Sequence, residues 1–215
     1  MTKAKAVIFD MDGVVVDSEP RHERAFLQVV TELGYADNHG IEFGKYVGRS
    51  DRDLWVDFVA RHKPAQTLEV LLAMKRARVL EILRRDRPLF DGLPELIEKL
   101  ALKYRLAIAS GSEPQVVEEV LTFKRLRRFF SVVTTSSEVN HGKPAPDIFL
   151  RASQLLGVDP NECWVIEDSK PGVAAGIAAG MQVIAITNTH PAEELVNATR
   201  VVATYGEIGN ILLDQ

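Results

Sequence analysis

The chain has 215 residues, 46% hydrophobic and 26% charged, with 26 Lys and Arg against 30 Asp and Glu for a net charge of −4; that size suits one sizeable core, or one core with an inserted subdomain. The acidic balance argues against a global attraction to nucleic acid or an anionic membrane, and the single cysteine, Cys163, excludes an intrachain disulfide and a zinc-binding cysteine cluster. No apolar run reaches the roughly 18 residues of a membrane span, and "MTKAKAVIFD" carries no signal-peptide pattern, so a cytoplasmic protein, working as a monomer, is expected.

The first element is the apolar run Lys5–Asp10, which reads as a buried strand. It ends on Asp10 and Asp12, one residue apart, with Gly13 behind them. Burying an ionised carboxylate is costly, and two side by side repel, so this stretch calls for a cation. Residues 17–88 then contain no convincing strand. "PRHERAFLQVVTELG", "RDLWVDFVARH" and "TLEVLLAMKRARVLEILRR" are helical patterns. The economical reading is a helical cap inserted after the first strand, with proline-containing crossings near Asp17–Pro20 and Arg87–Gly92. The domains are then 1–16 with 89–215, a sheet core, and 17–88, the cap. The basic cluster Lys75, Arg76, Arg78, Arg84, Arg85 and Arg87 reads as a solvated helix face, as does "KRLRR" at 124–128.

Further apolar runs at Arg105–Ser110, Ser131–Thr134, Cys163–Glu167, Val183–Thr187 and Arg200–Ala203 read as strands. Helical patterns lie between them, in "EPQVVEEVLTFKRL", "PDIFLRASQLLG" and "PGVAAGIAAGM". Strands alternating with helices imply a parallel sheet covered on both faces, a Rossmann-like α/β core. Gly172, Gly176 and Gly180 suit a helix that approaches the sheet closely, Gly180 closing it. Cys163 reads as plain packing.

In such a sheet, ligands bind beyond the carboxyl ends of the strands. Asp10-Met11-Asp12-Gly13 follows the first strand, Ser110-Gly111-Ser112 the second, Lys143 lies after the third, and Glu167-Asp168 ends the fourth. Acids gathered on one edge suit Mg2+, a hard cation that takes few protein carboxylates and keeps waters. Asp10 and Asp168 are the best ligands, with Glu167 helping directly or through water. Ser110 and Lys143 suit a phosphate. Ser112-x-x-Gln115 reads as a capping box that would aim a helix N-terminus at the same anion.

On these residues the chain resembles the haloacid dehalogenase superfamily. Asp10-x-Asp12-Gly13-Val14, Ser110, Lys143 in "GKPAPDIF" and Glu167-Asp168 in "VIEDSKPGVAAGIAAGM" match its four motifs in order. The branch most similar in appearance holds β-phosphoglucomutase, phosphoglycolate phosphatase and small sugar-phosphate phosphatases. The resemblance implies that Asp10 is the nucleophile and forms an aspartyl phosphate. Asp12 becomes the general acid and base, with its carbonyl on Mg2+. Ser110 and Lys143 hold the phosphoryl group, and Glu167 and Asp168 complete the metal site. The presence of Asp12 favours phosphoryl transfer from an ester, whose alkoxide leaving group needs a proton.

Substrate selection is then expected from the cap, where His22, Arg49, Arg52 and Lys75 match or neighbour substrate-facing positions of relatives, together with Gly111 and Ser112 in the core. One departure narrows the reaction. Where the mutase carries Ser-Lys-Asn to bind a second phosphate, this chain has Ser112-Glu113-Pro114. A glutamate there repels that phosphate by about 1 to 4 kcal/mol at 4 Å, although Arg49 or Arg52 could compensate. The expectation is a phosphatase acting on a small phosphorylated sugar or polyol, with a phosphosugar mutase as the alternative. A signalling receiver domain fits less well, because no acceptor aspartate follows "SVVTT". A non-catalytic scaffold fits less well too, because Asp10, Asp12 and Lys143 are all present.

Overall fold

The computed structural model describes residues 4–46 and 51–214. The chain divides into two compact units, Ser18–Pro88 and Met1–Asp17 with Leu89–Gln215. Among the described residues no helix is long and apolar enough to cross a membrane.

Among the described residues, the unit Ser18–Pro88 carries the α-helices α1 (Glu19–Glu32), α2 (Asp51–His62) and α3 (Leu68–Asp86). Pro20 sits in the first turn of α1, where its missing N–H costs nothing. Thr67 caps α3 by accepting the amide of Val70. Phe26, Val29 and Val30 of α1 pack with Leu54, Trp55 and Phe58 of α2 and Leu71 of α3. The Phe26 and Trp55 rings lie 5.1 Å apart and those of Trp55 and Phe58 5.3 Å apart, so aromatic packing supplies much of this small core.

Lys75 departs from the expected solvated face. Leu71, Lys75 and Val79 fall at four-residue spacing on the inward side of α3, and Lys75 is 1% exposed. Its ammonium binds Asp51 and lies 3.2 Å from His22 Nδ1. Arg84, Arg85 and Arg87 are exposed, as are the basic residues of 124–128. Replacing Asp51 with Ala strands the buried ammonium and is expected to destabilise this unit by about 2–4 kcal/mol, read as a lower thermal midpoint. Lys75→Met in that background is expected to restore most of the loss. Burial works against the Asp51 carboxylate, but His22 and Lys75 outweigh it and hold its pKa well below the usual range. Because the folded value is depressed, the stabilisation is complete above about pH 4 and fades only as pH falls towards that value.

The other unit carries a six-stranded sheet: β1 (Ala6–Phe9), β2 (Arg105–Ser110), β3 (Phe130–Thr135), β4 (Cys163–Glu167), β5 (Gln182–Ile186) and β6 (Arg200–Val202). The order is β3-β2-β1-β4-β5-β6, with every pairing parallel. All residues of β1 and β4 are buried, which is why these strands read as unbroken apolar runs. The chain builds outward from β1 in one direction and then resumes beside it with β4. That reversal places a crevice at the carboxyl ends of β1 and β4, the position where open α/β sheets bind ligands.

The covering helices are α4 (Leu93–Ala101), α5 (Pro114–Thr122), α6 (Asp147–Leu156), α7 (Lys170–Ala178) and α8 (Tyr205–Leu213). Neither α4 nor α8 is anticipated above, although Thr204 and Glu207 form a full capping box at the start of α8. The helical pattern over 113–126 breaks at Thr122 into a 3₁₀ turn, Phe123–Phe129, with Lys124 and Arg125 at positive φ. The kink at Lys124 and Arg125 accompanies the burial of both Phe123 and Leu126, at 3% and 0% exposure. On α7, a side chain at Gly176 would meet Val183 Cγ2 at 2.7 Å, so the glycine permits the close helix–sheet approach. Gly180 follows the helix at φ +75. Cys163 is buried, and that burial pushes its thiol up to about 12, so it packs rather than reacts.

Candidate active site

The amide of Asp10 donates to the carbonyl of Ile166 at 2.9 Å, carrying the β1–β4 pairing one residue past the strand. Asp10 therefore leaves the sheet beside Glu167 and is only 5% exposed. The chain then turns tightly. The amides of Val14, Val15 and Val16 all donate to the carbonyl of Met11, and Gly13 donates to Val16 at 2.9 Å. Gly13 stands at φ +77, a backbone state that other residues resist. A Cβ there would also lie 1.8 Å from Asp168 Oδ2. The Asp168 carboxylate thus rests directly against the turn that carries Asp10 and Asp12.

Lys143 arrives from the segment between β3 and α6. Its ammonium binds the Asp10 carboxylate and, at 2.6 Å, Glu167 Oε1. The other Glu167 oxygen, Oε2, accepts from the amides of Asp168 and Ser169 and from Ser169 Oγ, at 2.8 to 2.9 Å. Glu167 thus holds Lys143 and the backbone of Asp168, and Oε1, which accepts a single hydrogen bond here, keeps a lone pair for the expected role beside a metal. Gly172, in the first turn of α7, makes room for this carboxylate, since a Cβ there would stand 1.7 Å from Glu167 Oε1.

Ser112 departs from its expected role as a helix cap. Pro114 opens α5 and Glu113 is its N-cap residue, so Ser112 lies outside the helix and does not cap it. Its hydroxyl instead donates to Asp12 Oδ2 at 2.7 Å, with Ser110 Oγ at 3.4 Å from the same oxygen. Ser110 Oγ also accepts the Ser112 amide at 3.0 Å. Gly111 between them is exposed, with open space where a side chain would stand.

Burial, reinforced by Glu167 and Asp12, pushes Asp10 up to about 8 even with Lys143 beside it. Burial and the neighbouring Glu167 and Asp10 raise Asp168 as well. Burial opposes the Lys143 ammonium, but Asp10 and Glu167 overcome it and hold its pKa above the ordinary value. One ammonium thus faces several carboxylates in a water-poor crevice, a charge balance that a divalent cation would correct. The donor chemistry fits Mg2+: carboxylates from Asp10 and Asp168 and a backbone carbonyl from Asp12, with Asp168 seated against the turn because residue 13 has no side chain. Among the described residues no three His, Cys, Asp or Glu side chains gather into a metal-holding group, so this donor set rests on two carboxylates and a backbone carbonyl.

The remaining candidates belong to the helical unit. His22 and Lys75 come together with Asp51, and the Lys75 ammonium is taken up inside that unit rather than presented at its surface. Arg52 is exposed, 3.9 Å from Glu69. Arg49 lies outside the described residues.

The segment after β5, Thr187-Asn188-Thr189-His190, also reaches the crevice. Asn188 Nδ2 donates to the Gly13 carbonyl at 2.7 Å, Thr189 hydrogen-bonds the Asp168 side chain, and His190 Nδ1 lies 3.1 Å from the Asp168 carbonyl. The available signal is the rule applied above to the first four strands, because β5 also ends in polar residues on the same edge.

A doubly wound sheet with this carboxyl-edge constellation defines a phosphate-ester type of site. The family model for haloacid dehalogenase-like hydrolases matches residues 4–180, and the chain belongs to that family. Hexitol phosphatase B of Escherichia coli K12 is 34% identical over 201 residues, 92% of this chain and 88% of that protein. The fructose-1-phosphate phosphatase of the same organism is 29% identical over 180 residues, covering 83% and 94%. Among solved structures, CbbY from Rhodobacter sphaeroides in complex with phosphate superposes with a TM-score of 0.85 at 26% identity, covering 99% of this chain and all of that one.

Proposed function

We propose that the protein is a Mg2+-dependent phosphatase of small phosphate monoesters of the sugar or polyol type, working through an aspartyl phosphate on Asp10. The observation that carries this reading is the pairing of two unlike aspartates on one turn. Asp10 is buried against Lys143, whereas Asp12 is turned towards the hydroxyls of Ser110 and Ser112. One is placed to attack and the other to exchange protons.

In the first step an Asp10 carboxylate oxygen bonds to phosphorus as the ester P–O bond breaks. Asp12 gives its proton to the departing alkoxide. In the second, Asp12 takes a proton from water, whose oxygen bonds to phosphorus while the Asp10 acyl phosphate bond breaks, releasing inorganic phosphate. Lys143 offsets the charge between Asp10 and the phosphoryl oxygens, and Ser110, Ser112 and the Gly111 backbone orient those oxygens. Asp10, Asp168 and the Asp12 carbonyl would hold Mg2+, which when bound supplies countercharge to the phosphoryl group.

The named activities of the hexitol and fructose-1-phosphate phosphatases support a phosphorylated polyol or sugar. Glu113 in place of a lysine disfavours the mutase. The test is a phosphate-release screen over polyol, sugar and glycolate phosphates with Mg2+, including β-glucose 1-phosphate with a bisphosphate primer. Release from polyol or sugar phosphates is expected. Isomerisation to glucose 6-phosphate without net phosphate release would replace this reading with the mutase.

A further inference from the structure

Three hydrogen bonds tie the carboxylate site to elements that none of the family motifs contains, and a fourth links two of those outer residues to each other. Asn188, at the exposed rim after β5, donates through Nδ2 to the Gly13 carbonyl at 2.7 Å and to Tyr205 Oη at 2.9 Å. Tyr205 Oη in turn donates to the Val14 carbonyl at 2.6 Å, across 191 residues of sequence. Thr189 hydrogen-bonds the Asp168 carboxyl.

The direction of each bond follows from chemistry. A carbonyl only accepts, so the amide NH2 of Asn188 must face Gly13, and the phenol must spend its one proton on Val14. Burial keeps Tyr205 protonated at neutral pH by raising its pKa. The residue is also fixed from behind: it opens α8, whose capping box holds that first turn, and its ring lies 5.9 Å from Phe90.

The turn needs such bracing. The Met11 carbonyl already accepts from three amides, while the Gly13 carbonyl accepts from Asn188 after β5 and the Val14 carbonyl from Tyr205 at the start of α8. The Asp12 carbonyl shares its peptide plane with the Gly13 amide, which donates to the Val16 carbonyl at 2.9 Å. The bonds to the Gly13 and Val14 carbonyls hold the next two planes of the same turn, so the φ and ψ of Gly13, which set the Asp12 carbonyl against them, are restrained from both ends. Thr189, one residue from Asn188, sets Asp168 from the same segment, so the two sides of the site share one anchor.

We propose that Asn188, Thr189 and Tyr205 are positioning residues that hold the Asp12 carbonyl and the Asp168 carboxylate in register for one divalent cation. The inference rests on the metal site of the proposed phosphatase. Partners that orient ligands typically change metal affinity or activity by roughly 10- to 100-fold when removed.

The test is calorimetric titration of Mg2+ alone into the wild type and into Asn188→Ala, Tyr205→Phe, Thr189→Val and Thr189→Ser. Mg2+-dependent phosphate release from p-nitrophenyl phosphate is measured alongside. Asn188→Ala, Tyr205→Phe and Thr189→Val are each expected to weaken Mg2+ binding by roughly 10-fold or more and to raise the Mg2+ concentration for half activity in step. Thr189→Ser, which keeps the hydroxyl, is expected to bind as the wild type does. The double variant Asn188→Ala/Tyr205→Phe should lose little more than either single change, because the two act through one turn.

Unchanged Mg2+ binding in all three disruptive variants, with only a lower thermal midpoint, would make these residues mere fold supports and overturn the proposal. Asp168→Asn separates the two levels. If it too binds Mg2+ as the wild type does, the metal site itself is wrong. If it alone loses binding, the metal site stands and the positioning role falls.

Discussion

Asp10→Asn is expected to lower phosphate release by on the order of 10^4-fold or more, the scale seen when a nucleophile is removed from an otherwise intact site. An amide nitrogen or oxygen cannot form the acyl phosphate, while the isosteric side chain leaves β1 and its pairing with β4 in place. A second readout separates this from unfolding. Asp10 carries a folded pKa of about 8 because it is buried among other carboxylates, against an unfolded value near 4. The folded state then holds the proton more tightly, so without metal its stability falls as pH rises from about 4 to about 8. Asn at this position cannot ionise and removes that slope. In chelator, the thermal midpoint of the variant should therefore fall less with rising pH than that of the wild type. A variant that is inactive but equally pH-sensitive would mean that Asp10 is not the strained carboxylate. One that still turns over would remove it as the nucleophile.

The parts of this site that sequence conveys are those tied to strand ends. A parallel sheet buries its strands on both faces, so each shows as an apolar run, and the residue after the run falls at the carboxyl edge. Asp10, Ser110 and Glu167 can all be placed in this way, with Lys143 close behind. Roles that depend on which way a side chain turns once it arrives are not so legible. Ser112-x-x-Gln115 satisfies the spacing of a capping box, yet Pro114 starts the helix one residue later than that box requires and frees Ser112 for Asp12. The charge of Glu167 marks it as part of the site, but not that two backbone amides and a hydroxyl bind one of its oxygens and Lys143 the other. Lys75 lies in a basic stretch, and only the third dimension supplies the Asp51 that makes its burial tolerable. The helices α4 and α8 are in fact legible: Leu93, Leu96, Ile97 and Leu100 fall at helical spacing on α4, and Tyr205, Ile208 and Leu212 do so on α8 behind its capping box.

Gly172→Ala tests the least visible of these arrangements. The added methyl would stand 1.7 Å from Glu167 Oε1 and 1.9 Å from its Cδ, so helix and carboxylate cannot both stay. The start of α7 is anchored, because Ser169 Oγ accepts the Gly172 amide at 3.1 Å. Glu167 is therefore the group that yields. Leaving, it gives up the amides of Asp168 and Ser169, the Ser169 hydroxyl and the Lys143 ammonium together. Crowding and lost hydrogen bonds on this scale are expected to cost about 2–4 kcal/mol. Catalysis should suffer more than stability. Lys143 keeps only Asp10 as a partner, Asp168 loses the contact that sets its backbone, and misplacement of about 1 Å can cost roughly 10^2-fold in turnover. A fall in kcat of that order or more is expected, measured on correctly folded protein. The double variant Glu167→Ala/Gly172→Ala distinguishes crowding from chemistry. It removes the clash and should recover much of the thermal stability lost by Gly172→Ala, yet stay as slow, because nothing again holds Lys143 from the Glu167 side. Recovery of activity in the double variant would show that Glu167 only needed to be out of the way.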